Sequence, residues 1–133
     1  MAPPEQDAAS KTFTPPTDAA AVYIYRDTFV GQALKKTLSI DGVVIGETAN
    51  GVFFRREVGP GPHTLSTESE FGDNKLDFTA EIGRLYFFEQ YIKMGVFVGG
   101  ANLQAVSEED GKAAVLGCHE ALGVVPASTD GAP

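Results

Sequence analysis

The 133-residue chain has no tryptophan, a single cysteine and only two histidines. A lone Cys118 cannot close an intramolecular disulfide, and no CxxC pair or Cys/His ligand set is present, so neither a disulfide framework nor a zinc finger is available. Basic residues are scarce: ten Lys and Arg stand against 18 Asp and Glu, for a net charge of −8. That balance argues against non-specific nucleic-acid binding and against electrostatic docking on anionic lipid, both of which need a positive footprint. Long apolar runs are also missing, since none approaches the ~20 residues of a membrane-spanning helix. The opening Met1-Ala2-Pro3-Pro4-Glu5 has neither the basic start nor the apolar stretch of a secretory signal.

What is present is punctuation. Between Leu38 and Leu65, three apolar or alternating runs are separated by Asp41-Gly42, Asn50-Gly51 and Gly59-Pro60-Gly61-Pro62. Asx-Gly pairs supply the positive φ angles that two-residue hairpin turns demand, so the stretch reads as a β-meander. Strands are expected at 19–26, 35–41, 43–48, 52–58, 63–70, 75–81, 84–93 and 103–106. Leu85-Tyr86-Phe87-Phe88 is apolar on both faces, as in a strand covered on both sides. Ser107 followed by Glu108-Glu109-Asp110 is an N-cap with acidic residues in the first turn. The helix it opens should run to about Leu122, where Gly123 stops it and Cys118 rides on it.

Seven or eight short strands without βαβ alternation predict a mainly β fold. We expect an antiparallel β-sandwich with one C-terminal α-helix. Residues 1–18, rich in Ala, Pro, Ser and Thr, read as a flexible tether, 19–122 as the folded domain and 123–133 as a flexible tail.

The ordered cues Val22-Tyr23-Ile24-Tyr25-Arg26, Ile40-Asp41-Gly42, Ile45-Gly46, Gly51 with Phe53, and Gly59-Pro60-Gly61-Pro62-His63-Thr64-Leu65 carry a resemblance. With the aromatic seventh strand and the helix bearing Cys118, they resemble a DUF-type family of small bacterial lipoproteins of unknown function. The Asp-Gly, Ile-Gly, Pro-Gly-x-His-x-Leu core is also similar to the PEGA repeat of envelope proteins, a small β-sandwich unit. The resemblance implies a periplasmic, uncharacterised lipoprotein domain on a tether, with the lipid-bearing cysteine outside this chain, and it supplies no catalytic residues.

Site by site, chemistry is thin. His63 should bond a turn carbonyl and pack on the sheet end. His119 and Cys118 are neighbours that point apart. Glu68, Glu70, Asp73, Asp77 and Glu81 line the hairpin of residues 68–81, either as a solvated face, as weak calcium ligands, or as carboxylates for glycan hydrolysis. Arg55 and Arg56 project to opposite sheet faces, so they cannot share one anion pocket with Arg26 and Arg84. Surface pairing with the acidic face is expected instead, and Glu89 is expected to be half-buried, with Arg26 as its partner. The glycine-flanked loop 94–100 either lids the core or offers Met94, Val96, Phe97 and Val98 to a partner.

The expectation is therefore a non-enzymatic, envelope-associated binding module that contacts protein or cell-envelope components. It should have no catalytic, metal or cofactor residues, no nucleic-acid partner, and membrane contact only through an N-terminal lipid. An immunity or inhibitor protein against a toxin, and less readily a glycan hydrolase, are the alternatives.

Overall fold

A computed structural model of the chain describes residues 2–26, 36–49, 51–69, 72–94 and 99–121. The described elements run α1 (Pro4–Ser10), β1 (Ala20–Arg26), β2 (Lys36–Ile40), β3 (Val43–Thr48), β4 (Val52–Val58), β5 (Gly61–Ser69), β6 (Gly72–Ala80), β7 (Leu85–Met94), β8 (Gly99–Val106), α2 (Glu108–Leu116) and β9 (His119–Glu120). The fold is mainly β, with two sheets stacked as a sandwich. One sheet has the order β8-β7-β1-β4-β9 and the other β3-β2-β5-β6.

The four-stranded sheet is antiparallel throughout. The continuous meander expected from Leu38 to Leu65 does not form, because β4 pairs with β1 in the other sheet and leaves β2 to pair directly with β5. Its first turn takes the form expected of Asp-Gly, with Asp41 at φ 52° and Gly42 at φ 82°. The five-stranded sheet is mixed rather than purely antiparallel. β1 pairs antiparallel with β4 but parallel with β7, and β4 pairs parallel with β9. β1 therefore sits at the centre of its sheet, and all seven of its residues are buried.

Strand alternation divides the apolar residues between two cores. Val22, Ile24, Phe54 and Phe88 face the four-stranded sheet and meet Leu38, Ile40, Ile45 and Leu65. Tyr23, Tyr25, Phe53 and Phe87 point the other way and meet Val115 and Cys118, with Phe13 packed at their rim. A third layer, α2 and the N-terminal segment, covers that outer face. Phe87 and Phe88 are both buried, so β7 is covered on both faces as its apolar run implies.

Two further elements differ from the sequence reading. The helix begins as expected, with Ser107 Oγ accepting from Asp110 N at 3.1 Å, but ends at Gly117. Cys118 is not on it. The chain is captured there by β4: His119 N donates to Gly51 O at 2.9 Å and Ala121 N to Phe53 O at 2.8 Å. Those bonds create β9, which two residues of sequence cannot announce.

The N-terminal segment is the second difference. Within the stretch read as an extended tether, Pro4–Ser10 form a helix docked on the domain. Proline is favoured in a first helical turn, where its missing N–H has no partner to lose, and Glu5 and Asp7 complement the dipole there. Lys11 Nζ then reaches back to Asp7 Oδ1 at 2.8 Å.

Candidate functional site

Three regions among the described residues concentrate polar or exposed groups. The first is the seam where α1 meets β9. Glu120 is only 3% exposed, and its carboxylate is fully engaged. Oε1 accepts from Ser10 Oγ at 2.7 Å and Oε2 from Gln6 Nε2 at 2.9 Å. Its backbone N–H donates to Asp7 Oδ2 at 2.8 Å, while its carbonyl accepts from Ala2 N at 2.9 Å. Burial works against ionising Asp7, but the Lys11 ammonium and the Glu120 amide outweigh it and hold its carboxyl below the ordinary range.

Tyr23 extends the seam, donating its phenol to Ser10 O at 2.7 Å and accepting from Arg55 Nε at 3.2 Å. Its pKa is raised, chiefly by burial. An open polar cleft of about 360 Å³ lies here, lined by Ser10, Thr12, Thr14, Tyr23, Arg55 and Glu120.

The second region is the knot between the β2–β3 and β4–β5 turns. His63 Nδ1 lies 2.6 Å from Asp41 Oδ2, and Nε2 lies 2.7 Å from Gly59 O. Asp41 Oδ1 accepts from Thr64 N at 2.8 Å, and Asp41 N donates to Thr64 O at 2.7 Å. The His63 ring leans on Phe78, with centroids 5.7 Å apart. The turn carbonyl and the sheet-end packing are those expected of His63, and Asp41 is the partner the sequence reading lacks. The hydrogen bond to Asp41 raises the pKa of His63 and lowers that of Asp41. Beside this knot, Val43 and Val44 on the outer strand β3 are 50% and 43% exposed.

The third is a polar chain inside the sandwich. Thr48 Oγ1 donates to Gln90 Oε1, Gln90 Nε2 to Thr67 Oγ1 at 2.6 Å, and Thr67 Oγ1 to Thr37 O at 3.0 Å. Arg26, fully buried, donates from Nη1 to Thr48 O at 3.3 Å. The chain thus links β3, β7, β5 and β2. Arg26 is therefore an interior residue and no surface anion holder.

The remaining candidates disperse. Glu89 is half-buried as expected, but it accepts from Gln104 Nε2 at 2.6 Å. Register sets Glu89 beside Tyr25 and puts the expected partner, Arg26, on the opposite face of the sheet. Asp77 accepts from Thr64 Oγ1 at 2.7 Å, and Glu81 pairs with Arg84 at 3.4 Å. The backbones of Glu68 and Asp73 are paired across β5 and β6. Their side chains, and the whole of Glu70, lie outside the described residues.

Arg55 pairs with Glu57 on its own strand at 3.2 Å. Arg56, on the other face, gives its Nη groups to the carbonyls of Arg55 and Ile45. Cys118 is buried and His119 exposed, so the two do point apart. Val96, Phe97 and Val98 lie outside the described residues, as does the side chain of Met94 at the end of β7. Among the described residues, no three His, Cys, Asp or Glu side chains are grouped to hold a metal, and no helix is long and apolar enough to cross a membrane.

The architecture defines a class: a two-sheet β-sandwich whose outer face is closed by a C-terminal helix and a docked N-terminal segment. Comparison with known proteins gives the family. Residues 16–101 match the model described as "Protein of unknown function (DUF2846)", and the chain belongs to that family. An uncharacterized protein of Haemophilus influenzae strain Rd is 51% identical over 116 residues, which cover 86% of this chain and 69% of that one.

Proposed function

We propose that the protein is a non-enzymatic binding module of the bacterial cell envelope. In this reading the β domain sits in the periplasm, membrane-tethered through a lipidated N-terminal region, and engages a protein or envelope component through an edge of its four-stranded sheet. The observation that carries the proposal is the exposure of both Val43 and Val44 at the start of β3, an outer strand. Adjacent strand residues project to opposite faces, so exposing both leaves apolar surface on each side of one edge. An outer strand also presents unpaired backbone groups that a partner strand can bond.

The edge is held ready. Asp41 is bonded to Thr64 through both backbone and side chain and to His63 through its carboxylate, so the hairpin needs little ordering on binding. A register shift opposite Leu38 and Ser39 interrupts the ladder near Ile45 and Gly46, which confines an added strand to the beginning of β3. The resemblance to envelope lipoproteins supports the location.

A photoreactive amino acid at Val44, with another at exposed Leu116 as control, tests the contact in the native host. The expected result is an adduct specific to Val44 that disappears when Val43→Asp is added. No adduct, or the same adduct from both positions, would remove the edge from consideration. Fractionation and protease access in spheroplasts test the compartment, and recovery in the cytoplasmic fraction would overturn that part.

A further inference from the structure

His63 ties together two turns that belong to different parts of the sandwich. The Gly59-Pro60 connection carries the chain from β4, in the five-stranded sheet, to β5, in the four-stranded one. Asp41 stands in the β2–β3 turn. The ring reaches both, Asp41 Oδ2 from Nδ1 at 2.6 Å and Gly59 O from Nε2 at 2.7 Å. Register places His63 opposite Phe78 on β6, whose ring packs in turn on Tyr86 and Phe88 of β7. Among the described residues, Asp41 is the charged group set against the imidazole. Asp77 of β6 lies on the other face of the sheet, where it accepts from Thr64 Oγ1. The Tyr86 hydroxyl accepts from the amide of Glu81.

The two contacts of the ring are not equal. The one to Asp41 is charge-assisted, and hydrogen bonds of that kind are roughly twice as strong as neutral ones. Asp41 is also fixed in place, because Oδ1 accepts from Thr64 N at 2.8 Å and its own N–H donates to Thr64 O at 2.7 Å. Gly59 and Pro60 are both exposed, and a side-chain carbon built at Gly59 meets nothing within 4 Å. The connection therefore has room to move, and water can take over the Gly59 carbonyl. Gly61 beyond it, at φ 119°, occupies backbone space that glycine enters readily.

We propose that His63 is a proton-operated latch across one end of the sandwich. As imidazolium it holds both turns. On giving the Nε2 proton to water it keeps Asp41 through Nδ1–H and lets go of the Gly59 carbonyl. An unprotonated Nε2 in the same place would set its lone pair against those of the carbonyl, so the connection withdraws. The His63 side chain is 14% exposed, which gives the proton a path to solvent. The hydrogen bond to Asp41 raises the pKa of the ring, so the held form persists to a higher pH than an isolated histidine would allow. Release frees the link between the two sheets and loosens Val58, the last residue of β4, which packs on the inner core. The latch does not rest on binding at the β3 edge.

NMR of the full-length protein, labelled with carbon-13 and nitrogen-15 and titrated between about pH 5 and 9, tests it. Below the transition both ring nitrogens should be protonated. Above it Nδ1 should keep its proton and Nε2 lose it. A carbon-detected carbonyl–nitrogen correlation reads the Gly59 carbonyl through the Pro60 nitrogen, and that carbonyl should shift with the same midpoint as the ring. The Thr64 amide, held by Asp41 in both forms, should keep its hydrogen-exchange protection. Asp41→Asn removes the charge that retains the proton and should carry the ring and Gly59 transitions together to lower pH. A proton that stays on Nε2 and leaves Nδ1 overturns the proposal, since Asp41 would then be the group released. A Gly59 carbonyl that ignores the titration of the ring overturns it as well.

Discussion

The imidazole of His63 stands between two groups that can only accept: the Asp41 carboxylate at 2.6 Å and the Gly59 carbonyl at 2.7 Å. A neutral ring has one N–H and satisfies one of them, whereas the imidazolium satisfies both. The folded pKa of His63 is raised, so the stability it contributes is fully present below its unfolded value and fades as pH rises through the folded value. The folded pKa of Asp41 is lowered, so its contribution is present above the unfolded carboxylate value and fades as pH falls through the folded one. The knot is strongest between roughly pH 4 and 6.5, the ordinary Asp and His values.

Urea unfolding as a function of pH checks this. His63→Ala should cost about 1 kcal/mol at pH 5.5, a figure kept low because Asp41 is half-exposed, and distinctly less at pH 9. An equal loss at both pH values would mean that packing on Phe78 alone accounts for His63.

Gly111 is the tightest point in the third layer. A methyl added there would sit 2.4 Å from Cβ and Cγ of Phe87, whose side chain is buried and cannot retreat. Gly111→Ala should raise intrinsic helix propensity yet destabilise the protein by ~1–3 kcal/mol through overpacking. Thermal unfolding decides it, and a neutral or stabilised variant would show that α2 shifts freely on β7.

The interior polar chain predicts an asymmetry. Thr67→Val keeps the shape of the side chain but strands the amide of Gln90, at a cost of ~1–3 kcal/mol. Adding Gln90→Leu should recover part of that loss, because both partners are then apolar. A double-mutant cycle reads the coupling, and strictly additive losses would mean the chain contributes nothing as a unit.

Removing the seam carboxylate should free one element while the rest stays folded. Glu120→Ala leaves Ser10 and Gln6 without their acceptor, so amide exchange in residues 4–11 should accelerate by at least ~tenfold, for hydrogen bonds to a charged group worth ~1.5–3 kcal/mol. β1 and β7 should keep their protection. Uniform loss across the domain would make Glu120 a global rather than a local support.

Much of this architecture is legible in residues near one another in sequence. The Asp41-Gly42 turn, the alternation of Leu76, Phe78 and Ala80, and the Ser107 cap each follow from local chemistry, and each is present. What escapes the sequence depends on partners far along the chain. Gln6 and Ser10 read as solvated polar residues until Glu120, more than a hundred positions away, gives them an acceptor. Thr48, Thr67 and Gln90 carry no local signal of a shared role, and only stacking of the sheets brings them together. β9 exists only because β4 offers two carbonyls. His63 falls between these extremes: its sheet-end position was readable, its carboxylate was not.

The bond from Ala2 N to Glu120 O joins the two extremes of the described chain. More than a hundred residues separate α1 from β9, so during synthesis helix α1 lacks the Glu120 half of its surface until β9 has emerged. Until then its residues remain available to whatever cellular machinery meets them. Only when β9 docks does the molecule withdraw them from reach.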